Sequence, residues 1–256
     1  MILTVDIGNT HIKVGAWDED TLVFVARLQT NARRTRDEYS IALLDIMRLN
    51  DCNSAQFDGA VIASVVPPLS LAFRDAVMAV IQSKRVFLIS PGLKTGLNIK
   101  IDNPATLGAD FVCSAVAALE KYPLPCIIIS LGTATAISAL DADGNFLGGS
   151  VCAGAEISLE ALSRRTAQLP HISMDEPGSV IGSNTIDCMK SGVVYGTASM
   201  LDGMVRRMKE ILGEHTTVVA GGGLAAHIVG YCREEIILDD QLVMEGLRII
   251  YHKNTK

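Results

Sequence analysis

The sequence predicts an α/β fold made of two duplicated halves. Two observations carry this. Val5-Asp6-Ile7-Gly8-Asn9-Thr10 and Ile129-Ser130-Leu131-Gly132-Thr133-Ala134 repeat one pattern, and their glycines stand 124 positions apart in a chain of 256 residues. Apolar runs of strand character also alternate with stretches of helical period, as α/β architectures require.

The elements follow in order. Ile2 to Ile7 is a β-branched run ending at Gly8, Asn9 and Thr10, after which Ile12, Val14 and Ala16 alternate with His11, Lys13 and Gly15, giving strand, turn and returning strand. Leu107, Phe111, Ala115, Ala118 and Leu119 form a helical stripe, broken by Lys121-Tyr122-Pro123-Leu124-Pro125. Cys126 to Ser130 then repeats the first strand, Leu131 to Thr135 the turn, and an apolar alternation to Leu140 the return, closed by Asp141-Ala142-Asp143-Gly144. Helical stripes begin again at Ile157, Leu159, Ala161 and Leu162 and run from Val193 to Met208, and Val218-Val219-Ala220 leads into Gly221-Gly222-Gly223. The junction falls near residues 118 to 125, so the expected halves are residues 1–120 and 121–256.

Forty-nine per cent apolar residues, 20% charged and eight prolines describe a chain able to bury a large core, which excludes a disordered or collagen-like protein. Twenty-two basic against 28 acidic residues give a net charge of −6 with no basic run at either end, so nucleic acid is not the expected partner. The six cysteines never pair as CxxC, which argues against a zinc site and for free thiols in a reducing cytoplasm. Asp6 interrupts the N-terminal apolar run, and no stretch approaches the ~20 apolar residues of a membrane span. No membrane partner is expected.

A glycine turn after a buried strand brings backbone amides close to an anion, and threonine hydroxyls add donors. Two such turns facing each other would hold nucleotide phosphates, with Asp6 positioning Mg²⁺ or its water and Lys13 neutralising a phosphate. One copy alone would read as an ordinary hairpin turn. The second copy, with Gly221 to Gly223 able to admit an adenine ring, favours nucleotide binding. Neither GxxxxGK[ST] nor a helix-opening GxGxxG occurs. Asp110, in Thr106-Leu107-Gly108-Ala109-Asp110, reads as the first turn of a helix, where it serves either as a partner of the helix dipole or as a general base. The five histidines are dispersed and carry no catalytic signature.

Further motifs complete an ordered series: Ser64-Val65-Val66-Pro67, Gly92-Leu93-Lys94-Thr95-Gly96, Asn103-Pro104, Gly108-Ala109-Asp110, Leu147-Gly148-Gly149, Glu160-Ala161-Leu162 with Leu169-Pro170, Ile181-Gly182-Ser183-Asn184-Thr185, Ser191 to Gly196, and Glu245-Gly246-Leu247. With the two glycine turns, the whole chain resembles the type III pantothenate kinase family, which includes the Bvg accessory factor proteins and phosphorylates pantothenate in the first step of coenzyme A synthesis. The resemblance implies the ribonuclease H-like, actin-like duplicated fold of the acetate and sugar kinase superfamily, and a homodimer. It implies that Asp6, Ile7, Gly8, Asn9, Thr10, His11, Ile12 and Lys13 form the first phosphate loop and that Thr133 contacts ATP. Gly108, Ala109, Asp110, Phe111 and Thr185 line the pantothenate site, with Asp110 as general base.

Several positions depart from the family pattern. Phe111 replaces an arginine, Ile101 a tyrosine, Ser114 an asparagine, Ala153 a proline and Gly221 a threonine. Ser130 replaces the aspartate of a monovalent-cation site for K⁺ or NH₄⁺, and a hydroxyl leaves that site weakened. These substitutions leave two rivals to the kinase reading: a nucleotide- or ligand-binding regulatory protein, and a kinase for another small hydroxylated substrate.

Overall fold

In the computed structural model, which describes residues 1–255, the chain divides into two compact units. The first comprises Met1–Leu97, Asn103–Ala117 and the segment from Leu242 onward, and the second Asn98–Asp102 and Ala118–Gln241.

The first unit begins with β1 (Ile2–Ile7), β2 (His11–Asp18) and β3 (Thr21–Gln29), followed by α1 (Arg36–Leu49), β4 (Gly59–Ser64), α2 (Pro67–Ile81) and β5 (Val86–Leu88). β1 lies at the sheet centre in the order β3-β2-β1-β4-β5, antiparallel to β2 and parallel to β4. It is buried along its length except at Asp6, which is half-buried. That near-continuous burial explains its β-branched composition. α1 starts at a reciprocal cap in which the Thr35 hydroxyl accepts from the Glu38 amide and the Glu38 carboxylate accepts from the Thr35 amide. Leu43, Ile46 and Met47 of α1 and Leu69, Phe73 and Val77 of α2 close over the sheet as one core with Leu3, Val5 and Ile62.

The chain then passes through β6 (Asn98–Ile99), which pairs within the second unit, and α3 (Ala109–Lys121), whose length contains the division between the units. The expected helical stripe thus starts two residues late, because Leu107 closes a 3₁₀ turn over Pro104–Thr106.

The second unit continues with β7 (Cys126–Leu131), β8 (Ala134–Leu140), β9 (Asn145–Ala153), α4 (Ala155–Arg165), α5 (Thr185–Leu212), β10 (Thr217–Gly221), α6 (Ala225–Ile228) and β11 (Ile237–Leu238). Its sheet runs β11-β10-β7-β8-β9-β6. The central strand again pairs antiparallel with its hairpin partner and parallel with the strand beyond, so β7, β8 and β10 repeat β1, β2 and β4. The expected duplication is present in topology, although the second hairpin turns one residue sooner, with Leu131 opposite Thr135 where Ile7 is opposite Ile12. Leu159 of α4, Val194, Leu201 and Val205 of α5 and Ile127, Ile129 and Val218 of the sheet form the second core.

The last helix, α7 (Leu242–Thr255), belongs to the first unit and packs on β1 and β4. No helix among the described residues is long and apolar enough to cross a membrane.

Candidate active site

The first glycine turn is closed by its own backbone. The Gly8 amide donates to the His11 carbonyl at 3.0 Å, so this amide holds the turn rather than facing a ligand. Thr30, just beyond β3, braces it from outside: its hydroxyl donates to the Gly8 carbonyl at 2.7 Å and its amide to the Thr10 carbonyl at 3.0 Å. Asn9, Thr10 and His11 are exposed at the tip, while Ile7 and Ile12 flank it as buried anchors.

Asp6 sits opposite Lys13 across the hairpin and opposite Ala63 on the parallel side. Burial pushes its carboxyl up to about 6, Lys13 pulls it back, and Asp110 adds a smaller push upward. Asp110 is the second residue of α3. Burial raises its carboxyl above the ordinary range, against the pull of the backbone N–H groups of Phe111 and Asp110 itself. Its Oδ1 is buried and meets no hydrogen-bond donor among the described residues. A buried acceptor left unmatched costs about 1 to 3 kcal/mol, which makes this oxygen a place for a ligand's donor.

Gly108 explains how the carboxylate reaches that position. A Cβ at 108 would stand 2.5 Å from Asp110 Oδ1 and 3.3 Å from the Phe111 ring, so the carboxylate folds back into space that only glycine leaves open. The Gly108 carbonyl accepts from the Val112 amide at 3.2 Å and starts the helix. Ala109 is buried and Phe111 half-buried.

Cys113 is a neighbour that the sequence reading did not single out. Burial raises its thiol well above the ordinary value, and the charges of Asp6 and then Asp110 add to the rise. It stands three residues after Asp110 on α3, and that i,i+3 spacing was the available signal. The first unit therefore brings Asp6, Lys13 and Asp110 together.

In the second unit Ser130 takes the place of Asp6 in the repeat. It is half-buried, opposite Ala136 and Gly221, so neither the carboxylate nor the lysine of the first turn has a counterpart. The Gly132 amide donates to the Ala134 carbonyl at 3.1 Å, leaving Thr133 exposed at the tip. Gly222, with φ +108°, runs so close to Leu131 that a Cβ would stand 2.8 Å from its carbonyl carbon, and Gly154 is pressed onto the Gly132 and Thr133 carbonyls. A Cβ at Gly223 would meet nothing within 4 Å. Of the glycine run, Gly222 serves close backbone packing and Gly223 borders open space.

Thr185 opens α5 and is exposed, on a groove of about 910 Å³ whose lining includes Ala153, Leu162, Asn184 and Met189 but neither Ser130 nor Thr133. Ile101 packs against the bare face of Gly148, and Ser114 is buried on α3.

The described residues contain no cluster of three or more His, Cys, Asp or Glu side chains able to hold a metal. A divalent ion at Asp6 would therefore complete its shell with water and phosphate oxygens, as Mg²⁺ ordinarily does.

The fold and these motifs recur in known proteins. A solved structure of a conserved Baf family protein from Campylobacter jejuni superposes with a TM-score of 0.63 at 16% identity, covering 98% of each chain, which shows a shared fold. In sequence, the chain is 42% identical over 254 residues to the type III pantothenate kinase of Exiguobacterium sibiricum, covering 99% of this chain and 100% of that one. It is 40% identical over 260 residues to the type III pantothenate kinase of Halalkalibacterium halodurans, covering 99% and 100%. The family model for type III pantothenate kinase matches residues 2–207. A match across both sheets and near-full-length identity at this level place the chain within one family: it belongs to the type III pantothenate kinases.

Proposed function

We propose that this chain carries out its family's reaction, ATP-dependent phosphorylation of pantothenate to 4'-phosphopantothenate, with Asp110 as the general base. The observation that carries the assignment is the buried, unmatched Oδ1 of Asp110 in a site that raises its proton affinity. A substrate hydroxyl donating to this oxygen relieves the unmatched acceptor. A carboxylate of raised proton affinity is also the better proton acceptor.

Asp110 takes the hydroxyl proton as the substrate oxygen bonds to the γ-phosphorus of ATP. The bond from that phosphorus to the β–γ bridging oxygen breaks, and ADP leaves with the electron pair. Phosphoryl transfer asks little else of the protein than position and charge. The exposed tip at Asn9 and Thr10, with Lys13 behind it, supports placing phosphate at the first turn, and Thr133 supports the same role for the second. Mg²⁺ held through Asp6 supplies charge neutralisation of the phosphates when bound. Phe111 beside Gly108 lines the acceptor side, together with Ala109, and Thr185 serves pantothenate from the groove of the second unit. We read the Ser130 site as poorly suited to a monovalent cation, since a hydroxyl brings no charge where the ion must shed water.

A homodimer is supported by exposed apolar side chains on the second unit, Val151, Leu162, Val180, Ile181 and Ile186, with Ile181 82% exposed. Six free cysteines support a cytoplasmic location. Incubation with pantothenate and ATP, read by mass spectrometry, is expected to yield 4'-phosphopantothenate and ADP in equal amounts. ATP binding without acceptor-dependent ADP would overturn the catalytic reading in favour of a binding protein.

A further inference from the structure

The Glu245-Gly246-Leu247 segment has no role in the reading above. It lies in α7, and Gly246 is buried against the backbone of α3. A Cβ at 246 would overlap the Cys113 carbonyl oxygen and would stand 2.5 Å from its carbonyl carbon and 2.9 Å from its Cα. Backbone atoms cannot rotate out of the way. Two further contacts seat the same helix: the Met244 methyl fills the space beside Gly15 on β2, 2.6 Å from where a Cβ would lie, and the Tyr251 hydroxyl fills that beside Gly59 on β4. β1, which carries Asp6, runs between these two strands. α7 therefore touches the strands on both sides of Asp6 and the helix that carries Asp110.

The contact with α3 falls one turn beyond the residue assigned to the chemistry. Cys113 is one turn beyond Asp110, and its thiol senses both Asp6 and Asp110. A displacement of α3 at Cys113 moves Asp110 relative to Asp6, because a helix shifts as a rigid element.

We propose that Gly246 is a positioning residue: by letting α7 rest on the α3 backbone at Cys113, it fixes the place of Asp110 relative to Asp6. The proposal depends on the reading of Asp110 as general base.

Gly246→Ala forces the two helices apart. A misplacement of about 1 Å costs roughly 10²-fold, so kcat is expected to fall about 10- to 100-fold. The KM for ATP should stay within about threefold, since the loss is confined to the transition state. Opening the contact also admits water to Asp110, around which the ionisable groups are Asp6, the Cys113 thiol, Lys13 opposite Asp6 across the hairpin, and the half-buried Glu245 next to Gly246 on α7. With burial relieved, the acid limb of the kcat–pH profile should move to lower pH, a change that mere loss of stability would not produce. Cys113→Ala leaves the backbone contact intact and should keep kcat within about threefold of the parent.

A folded Gly246→Ala variant with parental kcat and pH profile would overturn the proposal, as would a Cys113→Ala loss equal to it. If Gly246→Ala does not fold, Leu247→Ala loosens the same seat by removing buried bulk and takes the same measurements, with parental kcat again contradicting the proposal. Failure of both to fold would overturn it in favour of a structural role. Asp110→Asn measured alongside separates the two readings: an active Asp110→Asn removes the general base itself, whereas an inactive one beside a parental Gly246→Ala removes only the positioning role.

Discussion

Replacing Asp6 by asparagine is expected to make the protein more stable at alkaline pH relative to its behaviour in acid, although it removes a residue assigned to the phosphate site. In the unfolded chain the carboxyl titrates near its ordinary 3.8, and in the folded chain near about 6. Burial is the largest influence, and the opposing pull of Lys13 is already contained in the result. The folded protein thus binds this proton more tightly than the unfolded chain does. The associated stability is fully present below pH 3.8 and is lost as pH rises through about 6. At 1.36 kcal/mol per tenfold change, the ionised carboxylate costs the fold about 3 kcal/mol at pH 8 and less than about 1 kcal/mol at pH 4. Asparagine never ionises. Urea unfolding of parent and variant at pH 8 and pH 4, without nucleotide or divalent ions, should show the variant gaining about 2 kcal/mol or more on the parent between acid and alkali. A difference between the two proteins that is the same at both pH values would refute the claim that Asp6 is held ionised at a cost. Such a cost is expected where function, not stability, selects the residue.

Lys13→Ala should weaken ATP binding about tenfold or more by calorimetry, as loss of a charged phosphate contact does, while pantothenate affinity changes little. It should also raise the Asp6 carboxyl further, since Lys13 pulls it down. Gly108→Ala places a Cβ 2.5 Å from Asp110 Oδ1, so the carboxylate must swing away; kcat should fall roughly 10-fold or more with little change in thermal midpoint. Ser130→Asp should make initial rates depend on K⁺ when compared with a bulky organic cation at equal ionic strength, whereas the parent should respond weakly. A parent already as K⁺-dependent as the variant contradicts the weakened site.

The duplication was legible because each copy carries its own local signals: a β-branched strand, a glycine turn and an alternating return. Elements defined by their partners were not. β6 and β11 are two residues each and exist only through pairing with Asn145–Phe146 and Val219–Ala220. Asp110 was legible as an acidic residue in a helical first turn, but its unmatched oxygen was not. That depends on the missing side chain at Gly108 and on the seating of α3. The place of α7 on the first unit follows from contacts with Gly15, Gly59 and Cys113, more than a hundred positions away in sequence, which no local period encodes. Thr30 carries no local signal of its role either, yet it closes the first glycine turn through two hydrogen bonds.

The central claim is that Asp110 removes the proton from the pantothenate hydroxyl. The rate of 4'-phosphopantothenate formation by Asp110→Asn, with ATP binding verified by calorimetry on the same sample, tests it most directly. Loss of a general base predicts a rate lower by about 10²- to 10⁴-fold with nucleotide affinity retained. A rate within a few-fold of the parent would contradict the claim and return Asp110 to the role of a helix-dipole partner.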